Sequence, residues 1–174
     1  GGLLGLTLPM DMPDRFDRLL VMNTALGTGD RPLGDGFIAW RQWCRDNPDM
    51  AIAKLMARAC PQLSAAESEA YNAPFPDVTH KAGVRRFPEL VPDHPEAGGA
   101  ELSRRARDWW RNDWQGQTFM AVGMQDPVLG PPAMAYLRQQ IRNCPEPFEV
   151  AEGGHFVQEN GEEVARAALA AFAG

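Results

Sequence analysis

The sequence predicts an α/β protein: parallel strands, with an all-helical block set between two of them. Three observations carry this reading. Short apolar runs bounded by polar or turn residues fall at Leu19–Met22, Thr118–Met124 and Pro147–Ala151. Amphipathic helical patterns follow the last two runs, which is the strand–helix alternation of a parallel sheet. Between the first and second run, the chain shows helical patterns broken by prolines.

The chain opens on "GGLLGLTLPM", where Leu3, Leu4 and Leu8 recur at helical offsets. A helix is expected from Gly1 to about Met12, ending or kinking near Pro9 and Pro13. "FDRLLVMNT" comes next, and its apolar run after a charged turn reads as a buried strand. Five helices are expected after it, in "GFIAWRQWCRDN", "DMAIAKLMARAC", "SAAESEAYNAPF", "THKAGVRRF" and "GAELSRRARDWWRND". Breaks are expected at Pro48, Pro61, Pro74, Pro76, Pro88, Pro92 and Pro95. Ser64 and Glu67 have capping-box spacing for the third of these helices. "QTFMAVGMQD" gives the second strand, and the prolines of "PPAMAYLRQQIRN" suit the first turn of the helix after it. "PFEVAEGGHF" gives the third strand. "GEEVARAALAAFAG" closes the chain with Val164, Ala168, Ala171 and Phe172 on one helix face and Gly174 at its end. Residues 1–33 and 116–174 therefore read as a sheet core, and 34–115 as an inserted helical cap or lid.

Composition narrows the function classes. The 174 residues suit about one domain, and the net charge of −6 argues against nucleic-acid and anionic-membrane partners. Arg104, Arg105, Arg107 and Arg111 recur at helical spacing among Glu101, Asp108 and Asp113, which reads as a solvated helix face. Cys44, Cys60 and Cys144 are far apart and odd in number, which suits free thiols in a reducing compartment, the cytoplasm. No apolar run reaches the length of about 18 residues that a membrane helix needs. A monomer is the default state.

Two residues stand where chemistry is done in such a fold. Asp126 and His155 each fall at the C-terminal end of an expected strand, the side on which open α/β sheets bind ligands. Taken singly, Asp126 could be a turn residue and His155 a structural one. Together, in the order acid then base, they match the last two members of a hydrolase triad. In that arrangement the imidazole takes a proton, and the carboxylate orients the ring and stabilises its charged form. The third member, a nucleophile, sits at a strand-to-helix elbow. A Gly-Gly pair leading into an apolar helix suits the downstream side of such an elbow.

The stretches "GGLLGLTLPM", "DGFIAW", "AYNAPFPD", "KAGVRRFP", "NDWQGQTFMAVGMQDPVLGP" and "GGHFVQE" resemble haloalkane dehalogenases of the α/β-hydrolase superfamily. The resemblance runs over essentially the whole chain, in the same order. It implies a partial α/β-hydrolase fold, a C-terminal portion starting just after the nucleophile elbow. The family's nucleophile Asp and one halide-binding Trp would directly precede Gly1, so the chain alone is expected to be inactive. The resemblance implies Asp126 as triad acid, His155 as base and Trp40 as the second halide-binding residue. It implies Phe37, Phe87, Pro88, Val91, Val128 and Leu129 as the apolar pocket. On spacing alone, Phe37 and Trp40 read as core. The implied partners are a small haloalkane, halide ion and water, with no metal or organic cofactor. An epoxide hydrolase is the nearest chemical alternative. It would need a pair of tyrosine donors, and the chain has only Tyr71 and Tyr136. A non-catalytic fragment that acts by association is the alternative from another class. His80 and His94 are expected at the surface of the helical block.

Overall fold

Alternation along residues 117–123 decides the layering. A strand sends Phe119 and Ala121 to one face and Met120 and Val122 to the other. All four are buried. A central parallel strand reads this way because helices cover both of its faces. The structure is a computed structural model that describes residues 1–174. In chain order its elements are α1 (Gly2–Gly5), α2 (Leu8–Asp11), β1 (Arg18–Met22), α3 (Asp35–Asp46), α4 (Ile52–Ala59), α5 (Ala65–Ala70), α6 (Ala82–Glu89), α7 (Ala100–Asn112), β2 (Gln117–Gly123), α8 (Pro131–Arg138), β3 (Phe148–Val150) and α9 (Gly161–Ala173). Short 3-10 turns lie at Pro13–Arg15 and Val157–Asn160. No helix is long and apolar enough to cross a membrane.

The chain divides into two units, one of residues 1–32 and 92–174, the other of residues 33–91. The first holds the sheet, in the order β1-β2-β3 with both pairings parallel. Met22 lies opposite Ala121, and Gly123 opposite Val150. On one face Met120 and Val122 pack with Leu6, Val21, Ala106, Trp110, Trp114, Met134, Leu137 and Ile141. On the other, Phe119 and Ala121 pack with Val150, Val157, Val164 and Ala168. Trp110 anchors the first cluster. Its ring is buried edge-on against Trp109 and Trp114, and its indole N–H donates to the Leu6 carbonyl at 2.7 Å.

Four details depart from the sequence reading. The opening helix is two short helices, because Pro9 has no N–H to continue the first and instead sits in the first turn of the second. The first strand is only partly buried. Val21 faces the core, whereas Leu20 is 43% exposed. Pro88 does not break its helix. It lies in the last turn of α6, where a missing N–H removes at most one bond, and its carbonyl accepts from the Arg41 Nε at 3.0 Å. Finally, α7, grouped by sequence with the cap, belongs to the sheet unit through Ala106 and Trp110.

The second unit is helical throughout. Pairs α3–α6 and α4–α5 pack against each other, and Cys44, Met50, Ile52, Met56 and Cys60 are buried. The capping box of α5 is formed. Glu67 N donates to Ser64 Oγ at 3.2 Å, and Ser64 N donates to Glu67 Oε2 at 2.8 Å. Reciprocal bonds of this kind satisfy two amides that a helix start otherwise leaves unpaired.

Candidate active site

Parallel strands all end on the same side of a sheet, so the loops after β1, β2 and β3 meet there. Main-chain bonds join two of them. Met124 N donates to the Val150 carbonyl at 3.1 Å, and Gln125 N to the Gly153 carbonyl at 2.8 Å. The approach is close enough that a Cβ on Gly123 would overlap the carbonyl oxygen of Gly154. Glycine at 123 is what lets the turn carrying His155 lie directly on the end of β2.

This packing brings Asp126 and His155 together. His155 Nδ1 and Asp126 Oδ2 are 2.8 Å apart. The other carboxylate oxygen, Oδ1, accepts from Val128 N at 2.9 Å and Leu129 N at 3.1 Å. The Asp126 side chain is 1% exposed, the His155 side chain 46%. Burial pushes the Asp126 carboxyl pKa up, but bonds from His155, the Val128 amide, Asn23 and the Leu129 amide outweigh it and hold it at about 2. The carboxylate is therefore ionised at neutral pH and can only accept. That assigns the proton between the two groups to His155 Nδ1 and leaves Nε2 free to accept a proton. The ring edge packs against Phe156, centroids 5.2 Å apart. A buried carboxylate behind a half-exposed imidazole is suited to general-base work on a water or a nucleophile.

Asn23, one residue past the end of β1, is a member of this site that the sequence reading missed. It is buried, and its Nδ2 donates to Asp126 Oδ2 at 3.0 Å. It also exchanges two bonds with Gly123: Nδ2 to the carbonyl at 3.1 Å, and Gly123 N to Oδ1 at 2.9 Å. The signal in the sequence was the one that pointed to Asp126, a polar residue directly after an apolar strand. Asparagine is so common in turns that it carried no weight there.

The remaining expected site residues divide between the units. Val128 and Leu129 are half-buried beside Asp126, and their observed role is through main-chain amides. In the helical unit, Trp40 is half-buried on α3 and stacks on Trp43, centroids 5.4 Å apart and planes 15° from parallel. Arg41 joins three of the expected pocket residues. Its guanidinium lies 5.4 Å from the Phe37 ring centre, and it donates to the carbonyls of Pro88 and Val91 at 3.0 and 2.8 Å. Phe87, next to Pro88, is 60% exposed within α6. His80 and His94 are surface residues paired with local carboxylates, His80 with Asp77 and His94 with Glu96.

Residues 1–162 match the alpha/beta hydrolase fold family. The chain belongs to that family. Among its relatives, an α/β hydrolase of Psychrobacter cryohalolentis named as a haloalkane dehalogenase is 38% identical over 171 residues, 95% of this chain and 55% of the relative. A haloalkane dehalogenase of Mycolicibacterium paratuberculosis is 33% identical over 174 residues, 97% of this chain and 56% of the relative. The tetrameric structure of haloalkane dehalogenase DpaA from Paraglaciecola agarilytica NO2 superposes with a TM-score of 0.94 at 44% identity, over 98% of this chain and 57% of that one. The ancestral haloalkane dehalogenase AncHLD2 shares the fold, with a TM-score of 0.72 at 18% identity, over 98% of this chain and 66% of that one. This α/β hydrolase chain thus spans little more than half the length of the relatives it matches.

Proposed function

We propose that the whole protein carrying this chain is a haloalkane dehalogenase, with His155 as general base, Asp126 as its orienting acid and Trp40 as a halide-binding donor. The observation that carries the reading is the 2.8 Å contact between His155 Nδ1 and a buried, ionised Asp126. Relatives up to 44% identical bear that name. In the proposed reaction an aspartate ahead of Gly1 attacks the halogen-bearing carbon. A C–O bond forms as the carbon–halogen bond breaks, and halide leaves with the bonding pair. Trp40, whose indole N–H is a donor only, suits the departing anion. Water then gives a proton to His155 Nε2 and its oxygen attacks the ester carbonyl. The alcohol departs, the nucleophile carboxylate is restored and a proton is released. None of these steps calls on a metal or an organic cofactor.

Residues 34–115 were expected to form the cap, and we propose the helical unit of residues 33–91 in that role, with Phe37, Phe87, Pro88 and Val91 as pocket lining. Cys44, Cys60 and Cys144, far apart in sequence and odd in number, suit a reducing, cytoplasmic setting. Monomer is the sequence default, whereas the DpaA structure is tetrameric; light scattering of the whole protein decides between the two. The central experiment is His155→Gln in the whole protein, incubated with 1-bromobutane. A stable alkyl ester, seen as one added butyl group by intact mass, with one bromide released per site, is the expected result. Full multiple turnover by that variant would remove His155 from the mechanism. Diol formation from an aryl epoxide, without bromide release, would favour the epoxide-hydrolase alternative.

A further inference from the structure

We infer that Asn23 is a positioning residue for the base, fixing the orientation and acceptor strength of the Asp126 carboxylate on which His155 depends. The inference rests on the haloalkane dehalogenase reading for its kinetic consequence, and on geometry alone for the rest. Asn23 is 5% exposed, so its amide makes its bonds within the protein or loses them. Gly123 fixes which way the amide points: Oδ1 accepts from Gly123 N and Nδ2 donates to Gly123 O. The flipped amide would set donor against donor and acceptor against acceptor. The second hydrogen of Nδ2 is thereby aimed at Asp126 Oδ2, 3.0 Å away, the same oxygen that faces His155 Nδ1.

Each carboxylate oxygen of Asp126 then has two donors: His155 and Asn23 on Oδ2, the Val128 and Leu129 amides on Oδ1. Four donors hold the carboxylate plane still. They also weaken it as a base, so the proton stays on the imidazole when His155 becomes charged. Asn23 suits this task because an amide donates without titrating. It touches no reacting atom and acts only through Asp126. Its effect should fall on the step that uses His155, ester hydrolysis, and leave the alkylation step in place.

The test is pre-steady-state bromide release from 1-bromobutane by the whole protein and its Asn23→Ala variant. The variant is expected to keep a burst of about one bromide per site while its steady-state rate falls about 10- to 100-fold, the range for a lost hydrogen bond to a charged group. Burst and steady state falling together in proportion, or neither changing, would overturn the inference. A second measurement does not depend on turnover. In the histidine-labelled whole protein, the low-field proton of His155 Nδ1 is followed by NMR in the parent and in Asn23→Ser, a milder change suited to the case where the alanine variant does not fold. Faster exchange or loss of that signal in Asn23→Ser is expected; an unchanged signal would sink the idea. No bromide from the unsubstituted whole protein would count against the dehalogenase reading alone, with the NMR result still deciding the role of Asn23.

Discussion

Gly123 meets Gly154 so closely that the carbonyl oxygen of Gly154 occupies the place where a side chain at 123 would begin. The contact ties the end of β2 to the turn that presents His155. Gly123→Ala should therefore act on the site as well as on stability. Overpacking of this kind costs about 1–3 kcal/mol. The expected result is a lowered urea midpoint together with loss of the His155–Asp126 bond, read from the NMR signal of His155 Nδ1–H. A stable variant with that signal unchanged would show that the turn can move aside freely.

Acid should weaken the sheet unit through Asp126. Its folded carboxyl pKa, held at about 2, lies below the ordinary value of 3.8. A depressed carboxyl pKa stabilises the fold at pH values above the ordinary one, and that stability is lost as pH falls from about 4 towards 2. The shift corresponds to roughly 2 kcal/mol. Urea unfolding at pH 6 and at pH 2 checks it. The stability gap between the parent chain and Asp126→Asn should shrink by about 2 kcal/mol between these conditions, and a gap that is constant with pH contradicts the assignment.

Trp110 is expected to matter beyond its size. Trp110→Phe keeps most of the apolar surface but leaves the Leu6 carbonyl without the indole N–H that now donates to it. An unsatisfied buried acceptor costs about 1–3 kcal/mol. The loss should lower the denaturant midpoint. It should also speed proteolysis of residues 1–12, which that bond ties to α7.

In the helical unit, Arg41→Met should loosen the end of α6. The methionine can cover Phe37 but cannot donate to the carbonyls of Pro88 and Val91. Hydrogen exchange in residues 87–91 should speed up about 10-fold or more, matching the loss of roughly 1.5–3 kcal/mol for bonds from a charged donor. Arg41→Lys should not rescue it, because one ammonium cannot reproduce the planar fork that reaches two carbonyls.

The three strands and the pairing of Asp126 with His155 were readable because each depends on a local pattern: an apolar run, then a polar residue at its end. The capping box at Ser64 and Glu67 was readable for the same reason. What escaped was set by neighbours distant in sequence. Asn23 is an ordinary asparagine in sequence, and its role exists only because Gly123 and Asp126 come to lie beside it.

Asn23, Asp126 and His155 stand in the loops after β1, β2 and β3, one, three and five residues past the strand ends. Their hydrogen bonds run from loop to loop across the sheet. A slip of one residue in either strand pairing would carry one of these loops along by about 3.3 Å, a shift as large as the hydrogen bonds of 3.0 and 2.8 Å that join them. Strand alignment and the meeting of the polar groups are in that sense one measurement made twice. A variant sheet that tolerated sliding could keep its core and still lose the contact between His155 and Asp126.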